Sequence, residues 1–331
     1  MSFQNCKIRG VGADAAEYHA ANGDLKRGDP LWTVSSGMLK EFAHCPARWM
    51  AGYHPPETDA QEFGSLVDCL YLTPGQFEAK YAIRPDTYRN EKGEEKPWNN
   101  NANVCKAWND DAEADGKLPI KKAELAEAKA AVFRLNADPV LAKFKSESAE
   151  QSWLQGEWLD EKTGLVVPVK ALVDLTPFDT SEFASCLGDL KTTRSAHPGV
   201  WSKFSSQRKY HFQGAFYLDF WNATSGQERD TWCFVLVENF PPFQTGKVML
   251  SQQKLDYGRA LYQAFLAKYC QCLKTGVWPD YQTGKNTVQG WSIDAASKWD
   301  EAEAMAAMEG DAPEETEPPP IEDDDNTENM N

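Results

Sequence analysis

With 331 residues, 41% hydrophobic and 25% charged side chains, the sequence has the make-up of a globular chain of one large domain or two small ones. It has no run of about 18 apolar residues, which argues against a membrane-spanning helix, and MSFQNCKIRG lacks a charged-then-apolar signal, so a cytoplasmic protein is expected. The formal charge of −16 does not exclude a nucleic-acid ligand, because residues 300–331 hold 13 acidic residues and no Lys or Arg, leaving −3 for the rest and room for a local basic groove.

Residues 1–30 are weakly patterned and read as an N-terminal extension. SSGMLKEFAHCPARW then predicts a short helix capped by Ser35 or Ser36, interrupted at Pro46 and resuming through Arg48 and Trp49. DAQEFGSLVDCLYLTP places Phe63, Val67, Leu70 and Tyr71 at helical spacing and stops at Pro74. Residues 85–118 are polar and are expected to form a loop or insertion beside the active site. KKAELAEAKAAVFRLNADPVLAKF predicts two helices parted near Asp138-Pro139.

After Glu150 the pattern turns to strands: QSWLQGEWL, GLVVPVKALVDLTPF and EFASCLGDLKTT. Helices from about Ser195 and from about Lys209 to Trp221 follow, then strands TWCFVLVENF and TGKVMLSQ, and a long amphipathic helix ending at Gly276. On that last helix Leu261, Phe265, Tyr269 and Cys272 share a face. Residues 291–331, rich in acid, Pro and Asn, read as a disordered tail. The order predicts an α+β (α/β) fold, a mixed central sheet flanked by helices with a helical N-terminal wing, and a main domain over 31–290.

Eight cysteines are present, and only Cys270-Gln-Cys272 are close in sequence; with no CxxC pair they read as free thiols rather than zinc ligands. His44, His197 and His211 likewise lack ligand-like spacing.

The chemistry gathers elsewhere. Along VVPVKALVD, alternation puts Val167, Val169, Ala171 and Val173 on one face, with Lys170, Leu172 and Asp174 on the other. In LGDLKTT, Asp189 and Lys191 are two apart and project from one face of their strand. Two carboxylates and an ammonium at adjacent strand ends suit metal-assisted phosphodiester hydrolysis. An Asp-x-Lys pair alone is more often a solvated surface ion pair. Three further features raise its standing. Asp174 ends an apolar strand; Tyr210, Gln213 and Tyr217 share a helix face; and Gly64 and Asp68 are one turn apart on the earlier helix.

Together FAHCPARW, EFGSLVDCLYLTP, AEQSWLQGEWLDEKTGLVVPVKALVD, LGDLKTT and YHFQGAFY resemble the PD-(D/E)xK nucleases, specifically the RecE (exonuclease VIII) branch near RecB and lambda exonuclease. The resemblance covers roughly residues 30–282. It implies a restriction-endonuclease-like core with Asp174, Asp189, Lys191 and Glu150 as catalytic residues. It also implies metal ligation by Asp68, Asp174 and Asp189, with Asp68 standing where relatives commonly carry a ligand His. Gln213 and Tyr217 match the QxxxY motif that lies against DNA, and Tyr210 joins them. The implied cofactor is Mg²⁺, with Mn²⁺ as the alternative and no iron–sulfur cluster. The implied activity is 5′-to-3′ exonuclease action on double-stranded DNA ends in phage-type recombination, inside a bacterial host or phage-infected cell. Implied partners are a single-strand annealing protein and further copies of the chain in a ring. The competing reading is a non-catalytic DNA- or protein-binding module that keeps the fold.

Overall fold

The computed structural model describes residues 2–56 and 58–281, together with the backbone of residues 287–288 and 291–292. The chain divides into two units, Met1–Pro279 and Asp280–Asn331. In the second, the described backbone forms an antiparallel ladder between Thr287–Val288 and Trp291–Ser292. The expected acidic tail lies, from residue 293 on, outside the described residues. The first unit carries the rest of the fold.

Its N-terminal half contains β1 (Ser2–Gly10), α1 (Ala15–His19), α2 (Ser36–His44), α3 (Pro46–Met50), α4 (Asp59–Leu72), α5 (Phe77–Lys80) and β2 (Tyr81–Ile83). Next come β3 (Thr87–Arg89), β4 (Glu95–Pro97), α6 (Asn103–Ala114), β5 (Leu118–Ile120), α7 (Lys122–Ala137) and α8 (Pro139–Ser146). The C-terminal half holds β6 (Ser148–Asp160), β7 (Leu165–Pro177), β8 (Cys186–Thr193), α9 (Pro198–Gln207), α10 (Tyr210–Ser225), β9 (Thr231–Glu238), β10 (Thr245–Met249) and α11 (Gln252–Thr275).

The helix boundaries follow from capping chemistry. Ser35 accepts the amide of Met38 to start α2, and Pro46 opens α3 where its missing N–H costs nothing. Thr58 and Gln61 form a reciprocal capping box on α4, and Asp138 stops α7 and caps α8. His197 accepts from Gly199 N at 3.2 Å and starts α9 three residues later than the sequence suggests. Its imidazole therefore has a capping role.

Six strands form one sheet in the order β1-β6-β7-β8-β9-β10, antiparallel except for the parallel β8–β9 pair. One face packs under Phe42, Trp201, Phe216 and Tyr262 from α2, α9, α10 and α11. The other packs under Leu66, Leu135 and Phe144 from α4, α7 and α8. β9 serves both, with Trp232, Phe234 and Leu236 in the first core and Val235 and Val237 in the second. A strand buried on both faces needs a continuous apolar run, which WCFVLV supplies.

Residues 2–10 are not an extension: β1 pairs with β6 at the sheet edge. SFQNCKIRG hid this because an edge strand has only one covered face and tolerates polar residues such as Lys7 and Arg9. Phe3 is its anchor, stacked on Phe220 with centroids 4.8 Å apart.

Residues 85–118 are also more ordered than a loop. β3 and β4 form a hairpin whose turn is closed by Asn90 Oδ1, which accepts from Lys92 N and Glu94 N, both at 3.0 Å. α6 buries Cys105 and Ala112, and Trp98 meets Trp108 edge-on at 5.5 Å. The parallel pair β2–β5 closes the base of this insertion. Arg84 and Asn109 border a cavity together with Glu62 of α4, the helix that carries Asp68.

The feature that creates a site is a fork. β7 and β8 share one ladder pair, Leu175 with Gly188, and then part. The vacated edge of β7 is taken by Val34, whose N–H bonds to Pro168 O at 2.9 Å and whose carbonyl accepts from Lys170 N at 2.9 Å. The chain enters α2 directly from that bridge. Unpaired backbone groups in a buried sheet need such substitutes.

Candidate active site

Asp174 and Asp189 stand one position beyond the Leu175–Gly188 pair, on the same side of it, at the mouth of the fork. Asp174 Oδ2 accepts the Leu190 amide at 2.8 Å, so its carboxylate replaces the ladder bond that β7 no longer makes. Asp189 is 1% exposed. Its Oδ1 accepts from Gln213 Nε2 at 2.8 Å and its Oδ2 pairs with the ammonium of Lys191. Period-2 geometry thus does for Asp189 and Lys191 what the sequence predicts.

α4 brings the third carboxylate. Gly64 sits so close to β8 that a Cβ there would lie 2.9 Å from Thr192 Oγ1. The absent side chain lets the helix settle onto the strand, and Asp68, one turn on, reaches the same centre. Between Asp68 and Asp174 lies Gln151 of β6, whose Nε2 donates weakly to Asp68 Oδ2 at 3.5 Å and to Asp174 Oδ1 at 3.4 Å.

Negative charge is in excess here. Burial first, then Asp189 and Asp68, pushes the Asp174 carboxyl well above the ordinary range. Burial, together with Asp189 and against the pull of Lys191, raises Asp68 to about 6. Lys191 is pushed the other way from what burial favours: Asp189 and Asp174 hold it protonated. Its ammonium also lies 5.5 Å from the centre of the Tyr210 ring.

A second cation stands nearby that no motif or spacing in the sequence singles out. Lys40 of α2 lies 5.5 Å from the same Tyr210 ring, and burial, then Lys191, lowers its pKa to about 8. Only the docking of α2 at the fork brings it there.

The donor set suits a hard divalent cation in type and charge. Carboxylate oxygens are what Mg²⁺ and Mn²⁺ take, and the surplus negative charge is what a cation offsets. Gln151 Oε1 is buried without a hydrogen-bond partner, an unmet acceptor beside two carboxylates. Among the described residues, no three His, Cys, Asp or Glu side chains converge to hold a metal by themselves. Asp68 and Asp174 are the acids that Gln151 joins, while Asp189 is engaged by Lys191 and Gln213.

Two expected site residues are engaged with other partners. Glu150 is one-third exposed and pairs with Lys145 at 3.6 Å, and it is the next residue, Gln151, that reaches the carboxylates. Alternation fails at that point because Gln151 has φ 49°, in the left-handed region, and this turns the side-chain sequence by one residue. Tyr217 is 6% exposed, and its hydroxyl accepts from Ser36 Oγ at 3.3 Å. It supports α2 through that bond, nearly buried but close enough to the centre for Asp189, Lys191 and Asp174 to act on its hydroxyl. Tyr210 is half-buried and stacks on Trp201 at 5.5 Å, its ring forming a wall of the centre beside both lysines.

A mixed sheet that forks at an Asp-bearing strand and an Asp-x-Lys strand, with a Gln-bearing helix laid against it, defines the PD-(D/E)xK-like class. The chain belongs to one family within it: residues 35–288 match the family described as "PDDEXK-like domain of unknown function (DUF3799)". Among solved structures, the crystal structure of a "Putative exonuclease" from Eubacterium rectale shares the fold. Its TM-score is 0.53 at 16% identity, over 86% of this chain and 97% of that one. No curated protein matches the sequence. Among the described residues no helix is long and apolar enough to cross a membrane.

Proposed function

We propose that this protein is a divalent-cation-dependent deoxyribonuclease that removes nucleotides from the ends of double-stranded DNA, running 5′ to 3′. The observation that carries the reading is the grouping of Asp174, Asp189 and Lys191 at the β7–β8 fork, with Gln213 fixing Asp189. Family membership supports a nuclease, and the RecE-like motifs support duplex ends and 5′-to-3′ polarity. The same motifs support a role in phage-type recombination beside a single-strand annealing protein.

Asp68 and Asp174 would hold Mg²⁺ or Mn²⁺, with Asp189 at its side. Bound there, the cation supplies charge to a phosphate oxygen and acidifies a water. Lys191 is held charged by its two carboxylate neighbours, so it acts on developing phosphate charge rather than as a base. Gln213 keeps Asp189 from rotating away from Lys191. Lys40, beside the same Tyr210 ring, adds positive potential for a second phosphate.

End-labelled duplex incubated with Mg²⁺ tests the reading. Nucleotide release by the wild type, and none by Asp189→Ala, is expected. Equal behaviour of the two proteins would reject nuclease action and leave the non-catalytic module. Comparing 5′ with 3′ labels on long duplex reads the polarity.

A further inference from the structure

Gln151 is unusual in three ways that meet at one point. It is 3% exposed, its backbone sits at φ 49°, and its Oε1 is buried with no partner. Glutamine rarely adopts that conformation, and it persists only where surrounding structure imposes it. Here the imposing structure is visible. After β1, Gly12 N bonds to Glu150 O at 2.8 Å and Ala13 N bonds to Gln151 O at 3.1 Å. The N-terminal segment pins the carbonyls on both sides of the unusual torsion. The β6–β7 ladder skips a pair there and resumes in register at Ser152–Val173. The result is a side chain aimed between Asp68 and Asp174 rather than one that follows the strand's alternation.

We propose that Gln151 supplies the third oxygen donor of the cation site, its amide oxygen joining the carboxylates of Asp68 and Asp174. This rests on the cation-dependent reading above. A cation that prefers six oxygens finds the carboxylates of Asp68 and Asp174 here, while Asp189 is held by Lys191 and Gln213 and, among the described residues, no three His, Cys, Asp or Glu side chains form a metal cluster by themselves. An amide is the donor that adds an oxygen without adding a fourth negative charge to a centre already in excess. It also serves the site when no cation is bound. With Nε2 toward the carboxylates it donates to both, and a half-turn of the amide exchanges that donor for the oxygen. The side chain thereby keeps Asp68 and Asp174 together in either state.

Gln151→Gly makes the discriminating variant, because glycine adopts φ 49° without penalty and keeps the backbone bonds from Gly12 and Ala13. Mn²⁺ binding, followed by calorimetry and by electron paramagnetic resonance of the free ion, should weaken by roughly 10-fold or more. The thermal midpoint in chelator should hold or rise. Gln151→Glu, which keeps the oxygens and adds charge, should bind Mn²⁺ at least as tightly as wild type. Should Gln151→Gly bind Mn²⁺ like wild type while wild type does bind, the role of Gln151 is overturned and the cation-dependent reading survives. Should wild type bind no Mn²⁺ at all, both fall together.

Discussion

On one side of the Leu175–Gly188 pair the gap between β7 and β8 is filled by the guanidinium of Arg229. On the other side it is filled by the carboxylate of Asp174. Both side chains stand in for ladder bonds, yet their surroundings differ. Arg229 donates to Cys186 O and Pro177 O at 2.8 Å each, to Gln227 Oε1 at 3.1 Å and to Asp179 Oδ1 at 3.4 Å. It lies over the Trp221 ring at 5.1 Å and is 5% exposed. Its charge and every direction of its fork are met. Asp174, by contrast, shares its corner with Asp68 and Asp189, and Lys191 is ion-paired with Asp189 rather than with Asp174. A charge that serves architecture is saturated by its neighbours. A set of charges left in surplus awaits a ligand.

The largest expected effect that separates the two sides is catalytic. Asp174→Asn keeps an oxygen for the Leu190 amide and removes one charge from the surplus. DNA hydrolysis should fall by about a thousandfold or more, while the thermal midpoint in chelator holds or rises. A large loss of stability instead would make Asp174 an architectural group like Arg229. Arg229→Met should give the converse pattern. It strands two carbonyls and should cost about 3–5 kcal/mol in urea unfolding, with hydrolysis per folded molecule unchanged. A stable but inactive Arg229→Met would reverse the comparison.

Gly64 tests how far the surplus depends on close packing. Gly64→Ala places a Cβ 2.9 Å from Thr192 Oγ1, and overpacking of this kind should cost about 1–3 kcal/mol. It should also push Asp68 away from Asp174 and weaken cation binding. Adding Thr192→Ala opens the space, so the double variant should recover most of both losses. Independent, additive effects would show that the Gly64–Thr192 contact does not set the position of Asp68.

How much of this was readable before the structure depended on the range of the cause. Asp189 and Lys191 follow from a two-residue period within one strand, and Asp68 from a four-residue spacing beside a glycine. Asp174 is legible because an acid ends an apolar run. Gln151 is not, because its direction is set by Gly12 and Ala13, about 140 residues away in sequence, through the left-handed torsion they hold. The expectation therefore fell one residue short, on Glu150. Lys40 depends on the Val34 bridge that docks α2 at the fork, and β1 on a sheet edge that does not demand apolar residues. Tyr217 had the right spacing for the site but a hydroxyl committed to Ser36. Spacing fixes which residues share a face, and packing decides whether that face meets solvent.

The smallest effect is also the one that reads the surplus directly, through pH. Asp68 is raised from the ordinary 3.8 to about 6 in the folded protein, chiefly by burial and then by Asp189. A group raised on folding holds its proton more tightly in the native state. Its contribution to stability is therefore complete below about pH 4 and is lost as pH rises through about 6. Asp174 shifts in the same direction. Asp14 and Asp138 shift the opposite way, so their stabilisation is lost only as pH falls through their lowered values, in a more acidic window. Subtraction isolates the term: in chelator, wild type should lose more thermal stability between pH 5 and 7.5 than Asp68→Asn does. Mn²⁺ added at pH 7.5 should restore the wild type and leave the variant nearly unmoved, since the cation takes the place of the proton. Parallel profiles for the two proteins would mean that Asp68 is solvated, and that the surplus charge which distinguishes this side of the fork from Arg229 is not there.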